Sequence, residues 1–226
     1  MFLDSNYVLY AGMIQVIRRG TAEILEESDE GIFLRDTVSN TFMLATDNPE
    51  ISIEWLKKYE YLNYILLVLF QKDVIEFAKE RYGFLSSLKC FQAVYMLNKP
   101  FHTSKRLQIK VATNDDYQTV SDHYKMLSEW ELKKIISRRE LFIGYYDEKM
   151  VGFIGQHLEG SMGLLEVLPQ YRKNGYGMEL EQTMINYMLE KGLIPFCQVE
   201  VTNEKSLRLQ KKLGLTISRE QVCWLF

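Results

Sequence analysis

The sequence predicts a mixed α/β protein built in two parts. Short apolar runs of strand length alternate with stretches whose apolar residues recur every three or four positions. Hydrophobic residues make up 47% of the 226 and charged residues 25%, the balance of a chain that folds around a substantial core. One interruption, Lys99-Pro100-Phe101-His102-Thr103-Ser104, separates an irregular first stretch from a second with clean alternation. Proline stops a helix from crossing it and biases Lys99 towards extended backbone. The expected organisation is an N-terminal α/β domain over residues 1–100 and a second domain over 101–226.

Taken in order, Asn6 to Arg19 carries Val8, Leu9, Gly12, Met13, Val16 and Ile17 on one helical face. Glu23 to Glu27, Gly31 to Arg35 and Thr41 to Thr46 follow, parted by Asp, Gly, Asn and Ser, and predict a three-stranded meander. Pro49 opens a helix to Tyr59, where its missing N–H costs nothing. A strand around Ile65 to Leu69, a helix from Asp73 to Arg81 and a strand within Leu88 to Leu97 complete this half, which holds no chemical motif.

Beyond the junction, Leu107 to Ala112 is a strand. Thr113 caps a helical stretch over Tyr117 to Leu127, and Ser128 with Glu131 forms the capping box of another through Ser137. Leu141 to Tyr146 and Met150 to Leu158 pair across Asp147-Glu148 as a hairpin. Met162 to Leu168 is a strand halted by Pro169, and Gly175 to Lys191 is a long helix closed by Gly192. Ile194 to Val201 (strand), Glu204 to Leu213 (helix) and Val222 to Phe226 (strand) end the chain. There is no low-complexity stretch and no short internal repeat.

Composition excludes several classes of function. A formal net charge of -3 disfavours a general binder of nucleic acid or of acidic membrane surfaces. Cys90, Cys197 and Cys223 form no CxxC pair, and with three histidines and no HExxH no metal site is expected. Asp4 stands where a signal peptide would be basic, and the apolar run Tyr61 to Phe70 falls well short of the ~20 residues of a membrane span. The expectation is a soluble cytoplasmic protein.

Chemistry enters where the strand Gly163-Leu-Leu-Glu-Val-Leu runs through Pro169-Gln-Tyr-Arg172-Lys173-Asn174-Gly175-Tyr176-Gly177 into the long helix. First-turn N–H groups have no intrahelical partner, and the helix dipole adds partial positive charge, so such an entry binds anions. Gly175 and Gly177 permit close backbone approach, and Arg172 and Lys173 add charge. A phosphate ligand fits. No GxxxxGK[ST] string exists, and Leu180 stands where a dinucleotide fingerprint needs its third glycine.

Arg172-x-x-Gly175-x-Gly177 after Val167-Leu-Pro169 resembles the acetyl-CoA loop of the GNAT superfamily of N-acyltransferases. Asn203-Glu-Lys-Ser206-Leu-Arg-Leu209 through Gly214-Leu215 resembles that superfamily's second signature, and the element order agrees. The likeness covers Leu107 to Phe226; Gly192 to Phe196, Val201 to Asn203 and Val222 to Trp224 look like the glycine N-acyltransferase-like branch. The resemblance implies a central mixed twisted sheet flanked by helices, with acetyl-CoA or another acyl-CoA as co-substrate. It implies Leu165, Glu166 and Val167 along the pantetheine arm, Arg172 to Gly177 around the pyrophosphate, and Asn203 and Ser206 reaching the cofactor from the facing side. Asn203 also reads as a helix N-cap, and the roles can coexist. The acceptor it implies is a small-molecule amine or amino acid, with no nucleic acid or membrane partner, on a monomer or homodimer.

Direct transfer from thioester to amine relies on positioning and on a base for the ammonium proton. The base carboxylate of several family members aligns with Ser161, a hydroxyl. Glu159, two residues earlier, would share its face if the strand reached back past Gly160, and is the candidate base; the alternative is a solvated hairpin acid. Gln210 stands where the family commonly has a tyrosine acid, and either orients the thiol or does nothing. Tyr176 is a conceivable substitute, although packing explains it as well. His157 reads as a hydrogen-bonded strand residue that could orient substrate. A non-catalytic acyl-CoA-binding module is the second reading.

Overall fold

The computed structural model describes residues 2–102 and 106–226. Thr103 and Ser104 of the expected junction lie outside the described residues. Contacts divide the chain into two compact units that a single cut does not separate. The first holds residues 1–94, 198–211 and 215–226, and the second holds 95–197 and 212–214.

The first unit begins with helix α1 (Ala11–Arg18) and the meander β1 (Ala22–Ser28), β2 (Gly31–Asp36) and β3 (Thr41–Thr46). Then come α2 (Pro49–Lys58), β4 (Leu67–Leu69), α3 (Lys72–Tyr82) and β5 (Ser87–Val94). Pro49 sits in the first turn of α2, as the sequence predicts, and the Asn48 side chain caps that turn by accepting from the Glu50 N–H. α1 is shorter than expected because Phe2–Asn6 forms a separate 3-10 turn.

The C-terminal strand β11 (Thr216–Leu225) lies in this unit's sheet, whose order is β1-β2-β3-β4-β11-β5. β11 runs antiparallel to both β4 and β5, while β4 runs parallel to β3. It begins six residues before the expected Val222, and its register is irregular between Ile217 and Gln221. Ser218 stabilises that irregularity: its hydroxyl accepts from the Gln92 N–H at 3.0 Å and donates to the Glu220 carbonyl at 2.7 Å.

Both faces of this sheet are covered, so its strands read as apolar runs. Ile32, Leu34, Met43, Val68 and Trp224 pack against Leu9, Met13 and Val16 of α1. The alternating residues Phe33, Phe42, Leu44, Leu67 and Leu225 pack against Leu56 of α2 and Val74 and Ala78 of α3. The three cysteines are buried free thiols, and burial pushes Cys90 up to about 12.

The second unit opens with β6 (Gln108–Val111), α4 (Tyr117–His123) and α5 (Glu129–Ser137). β7 (Leu141–Tyr146), β8 (Lys149–Gln156), β9 (Met162–Val167) and α6 (Tyr176–Glu190) follow; β10 (Phe196–Glu200) begins in this unit and passes into the first at Gln198, and α7 (Glu204–Lys212), before β11, belongs to the first except for Lys212. Strand order is β10-β9-β8-β7-β6, antiparallel except that β10 runs parallel to β9. Both predicted caps appear: Thr113 with Asp116, and Ser128 with Glu131. α4 stops at His123, four residues before the expected end, where Tyr124 turns to extended backbone.

Opposite faces of this sheet carry different helices. Phe142 of β7 meets Tyr187 of α6, with ring centroids 4.9 Å apart. Phe153 of β8 instead meets Tyr124, at 6.4 Å. Leu180, Met184, Ile185 and Met188 of α6 are fully buried.

The chain states one element order twice. An antiparallel triplet leads to a helix, a strand parallel to the third, a helix and a last strand: β1 to β5 through α2 and α3, then β7 to β11 through α6 and α7. No sequence repeat announces this.

Candidate functional site

β9 is the strand that shapes the site. Opposite Phe153 and Gly155 of β8 stand Glu166 and Gly163, so β9 spends one residue more than β8 over that interval. This is a β-bulge, and Leu164 within it has φ 53°, a left-handed conformation costly for a branched side chain. On its other edge β9 pairs with β10 only at Met162↔Cys197. Among the described residues, the main chain from Gly163 to Val167 therefore has no ladder on that side, and its amides can bind an extended ligand.

Past Pro169 the chain makes a 3-10 turn to Tyr171 and enters α6 through two left-handed residues, Lys173 at φ 67° and Gly175 at φ 84°. Asn174 stabilises this turn by donating from Nδ2 to the carbonyls of Tyr171 (3.1 Å) and Arg172 (3.3 Å). Gly175 is the N-cap and has no side chain to satisfy the first turn. The N–H groups of Tyr176 and Gly177 thus point out of the helix without an intrahelical acceptor. A Cβ on Gly177 would meet only the Val167 Cγ2, at 3.4 Å, so the fold itself does not demand glycine there.

Arg172 and Arg106 divide the charge of this loop differently from the sequence expectation. The Arg172 guanidinium folds back on β9, donating to the Val167 carbonyl at 2.9 Å and to Glu166 at 2.8 Å. Arg106, which the sequence reading missed, donates to the Asn174 carbonyl at 3.2 Å and pairs with the buried Glu179 at 3.2 Å. Glu179 also accepts from the Leu107 N–H at 2.9 Å. Lys173 and Asn174 are exposed on the loop. Tyr176 is buried and stacks at a tilt on Tyr146, 5.6 Å away, which makes it a packing residue.

Glu159 lies outside β9, in the tight turn from β8, and Gly160 at φ 99° interrupts the strand. It is not solvated: it is 8% exposed, and Ser161, 2% exposed, donates to it at 2.5 Å. The turn is closed by His157 N–H to the Ser161 carbonyl (2.9 Å) and by Gln156 Nε2 to the Gly160 carbonyl (3.1 Å). A second carboxylate, Glu166, stands on the Tyr124 face of β9, since its register partner is Phe153. His157 packs its ring over Gly163.

Asn203, Ser206 and Gln210 belong to the first unit. Asn203 is an N-cap of α7, its Oδ1 accepting from the Ser206 N–H at 3.0 Å. Ser206 is half-buried. Gln210 is 2% exposed, and its side-chain oxygen has no protein hydrogen-bond partner.

Residues 106–215 match the model of the acetyltransferase (GNAT) family. The fold is the GNAT fold. Similar solved structures include a Drosophila protein at 18% identity and TM-score 0.68, covering 87% of this chain and 73% of that one. A GCN5-related N-acetyltransferase-like protein from Streptococcus suis covers 99% of this chain and 95% of its own at 14% identity and TM-score 0.58. A tandem GNAT protein from the clavulanic acid biosynthesis pathway covers 96% and 87% at 10% identity and TM-score 0.50. No curated protein matches the chain.

Within the GNAT fold three features escaped the sequence reading, Arg106 among them. The bulge at Leu164 carries no glycine, and Tyr124 lies far from either signature. Arg106 had a faint signal as one of two adjacent cations, Lys105-Arg106, just before a predicted strand. No group of His, Cys, Asp and Glu that could hold a metal ion occurs among the described residues. No described helix is long and apolar enough to cross a membrane.

Proposed function

We propose that this chain transfers an acyl group, acetyl in the first instance, from coenzyme A to a small-molecule amine or amino acid. The observation that carries the reading is the uncapped start of α6 beside the unladdered edge of bulged β9. Amides of Tyr176 and Gly177, with Gly175 turning the chain, hold the pyrophosphate. The main chain of Leu165, Glu166 and Val167 holds the pantetheine arm. Lys173 adds long-range attraction, and Arg172 acts mainly through structure by fixing β9 to the loop. The family resemblance also assigns cofactor contacts to Asn203 and Ser206.

Glu159 takes the proton of the attacking amine. An alkyl ammonium near the lysine range, pKa ~10, is a poor nucleophile until it loses that proton. Ser161 orients the carboxylate by donating to it. Much of the acceleration comes from holding thioester and amine together. The resemblance to the glycine N-acyltransferase-like branch supports a small acceptor.

The test combines binding with turnover. Calorimetry should find one CoA per chain, because the loop from β3 to α2 is Asp47-Asn48-Pro49-Glu50, with a side-chain cap, a proline and an acid where an anion would sit. Thiol release from acetyl-CoA against a panel of amines and amino acids should then identify an acceptor. Absence of CoA binding, or binding with no turnover of any amine, would sink the proposal.

A further inference from the structure

The first unit holds a cavity that acyl transfer leaves unused. It lies where Phe70 follows β4, α3 begins at Lys72 and the irregular stretch of β11 passes β5. Its volume is about 340 Å³, within the range of small-molecule sites. The floor is apolar: Ile75 and Cys223 are buried, and Phe70 is fixed by Tyr10 standing edge-on, ring centroids 5.0 Å apart.

Charges of both signs surround that floor because of how its elements are built. From Ile217 to Gln221 β11 advances four residues while β5 advances two, from Ala93 to Phe91. Arg219 and Glu220 are thereby pushed out of the ladder and into the cavity wall. Lys89 joins them from β5 as the register partner of Cys223. On α3, Lys72 and Glu76 line the cavity at the i, i+4 spacing of a helix ion pair, yet they do not pair. Among the described residues, Lys72, Lys89, Arg219 and Glu76 are all exposed and none has an ion-pair partner. Glu220, by contrast, accepts from Asn6 Nδ2 at 3.4 Å. Three open cations and one open carboxylate therefore ring an apolar floor.

We infer that this cavity binds a free α-amino acid with an apolar side chain of about the size of leucine. The carboxylate meets Lys72, Lys89 and Arg219, the ammonium meets Glu76, and the side chain lies on Phe70, Ile75 and Cys223. A ligand of a single charge would strip water from either the cations or Glu76 without giving them a partner, which is unfavourable. A zwitterion answers both. Every residue lining the cavity belongs to the first unit, so the inference stands apart from acyl transfer. An occupant ties α3 to β5 and β11, so binding stabilises the folded unit by mass action.

The experiment applies calorimetry and thermal denaturation to the full chain with three probes: free leucine, isocaproate, which lacks the amino group, and isoamylamine, which lacks the carboxylate. Leucine should bind and raise the melting temperature, and each truncated analogue should bind about tenfold more weakly or worse. Lys89→Ala and Arg219→Ala, both at exposed positions, should weaken leucine by a similar factor while the unliganded melting temperature and the affinity for CoA stay as in wild type. Glu76→Gln should weaken leucine and spare isocaproate, which has no ammonium to lose. Three results overturn the inference: no leucine binding, an analogue that binds as tightly as leucine, or a leucine affinity unchanged in all three variants. The last would place the amino acid outside this cavity, and none of the three touches the reading of acyl transfer, which is tested by CoA binding and thiol release.

Discussion

At the scale of single residues, two glycines two positions apart in one loop do different jobs. Gly175 sits at φ 84°, where an L side chain is strained; Gly177 has an ordinary environment in which a Cβ would meet only Val167. Gly175→Ala should therefore cost stability, about 1–2 kcal/mol for forcing a Cβ into the left-handed region. Gly177→Ala should leave the melting temperature nearly unchanged but weaken CoA binding at least tenfold, because the new methyl takes space from the ligand. Thermal denaturation and calorimetry on the two variants check this, and equal effects on stability would contradict the division. Lys173 at φ 67° shows that the loop already holds one non-glycine residue in this region, tied down by Asn174 on its C-terminal side.

At the scale of elements, short helices depend on their ends. α5 has nine residues, and Ser128 and Glu131 close its start reciprocally: Ser128 N–H to the Glu131 carboxylate at 2.9 Å, Glu131 N–H to the Ser128 hydroxyl at 3.3 Å. Ser128→Ala should cost about 1 kcal/mol, measured by urea denaturation, with Glu131→Gln milder because the amide oxygen still accepts. These caps were legible in the sequence because both partners lie within one helical turn. So were the Pro49 start of α2, the Asp147-Glu148 hairpin and the Gly175 entry to α6. The missed features are those whose cause lies elsewhere in the chain. The bulge at Leu164 answers to β8, and the early stop of α4 answers to Tyr124 packing on Phe153. The first half of β11 reads as polar turn sequence, and Ser218 and the distant Gln92 are what hold it as strand. The same distance effect governs the site: the phosphate loop is contiguous and readable, whereas Phe153, against which Tyr124 packs, comes beside Glu166 only through sheet register.

At the scale of the whole molecule, the element order repeated in the two halves leaves no mark in the sequence, because each copy has loops suited to a different task. The copy carrying Asp47-Asn48-Pro49 keeps the meander, helix and parallel strand without an anion site. Its own sheet is incomplete without the end of the chain. β11 inserts between β4 and β5, pairing Cys223, Trp224 and Leu225 with Leu69, Val68 and Leu67 on one side and with Lys89, Leu88 and Ser87 on the other. Leu225 and Val222 are fully buried, each on a different face of that sheet. A fragment of residues 1–100 would thus lose a central strand, expose both edges of its neighbours and open both apolar clusters at once. Each exposed, unpaired edge is also a template for aggregation. The expected result is that the fragment alone shows no cooperative thermal transition and poor amide dispersion by NMR. Adding the segment 215–226 in trans, or fusing it after residue 100 through a flexible linker, should restore part of the dispersion. A fragment of 1–100 that folds cooperatively by itself would show that β4 and β5 can close without β11, and that β11 contributes little to the first unit's stability.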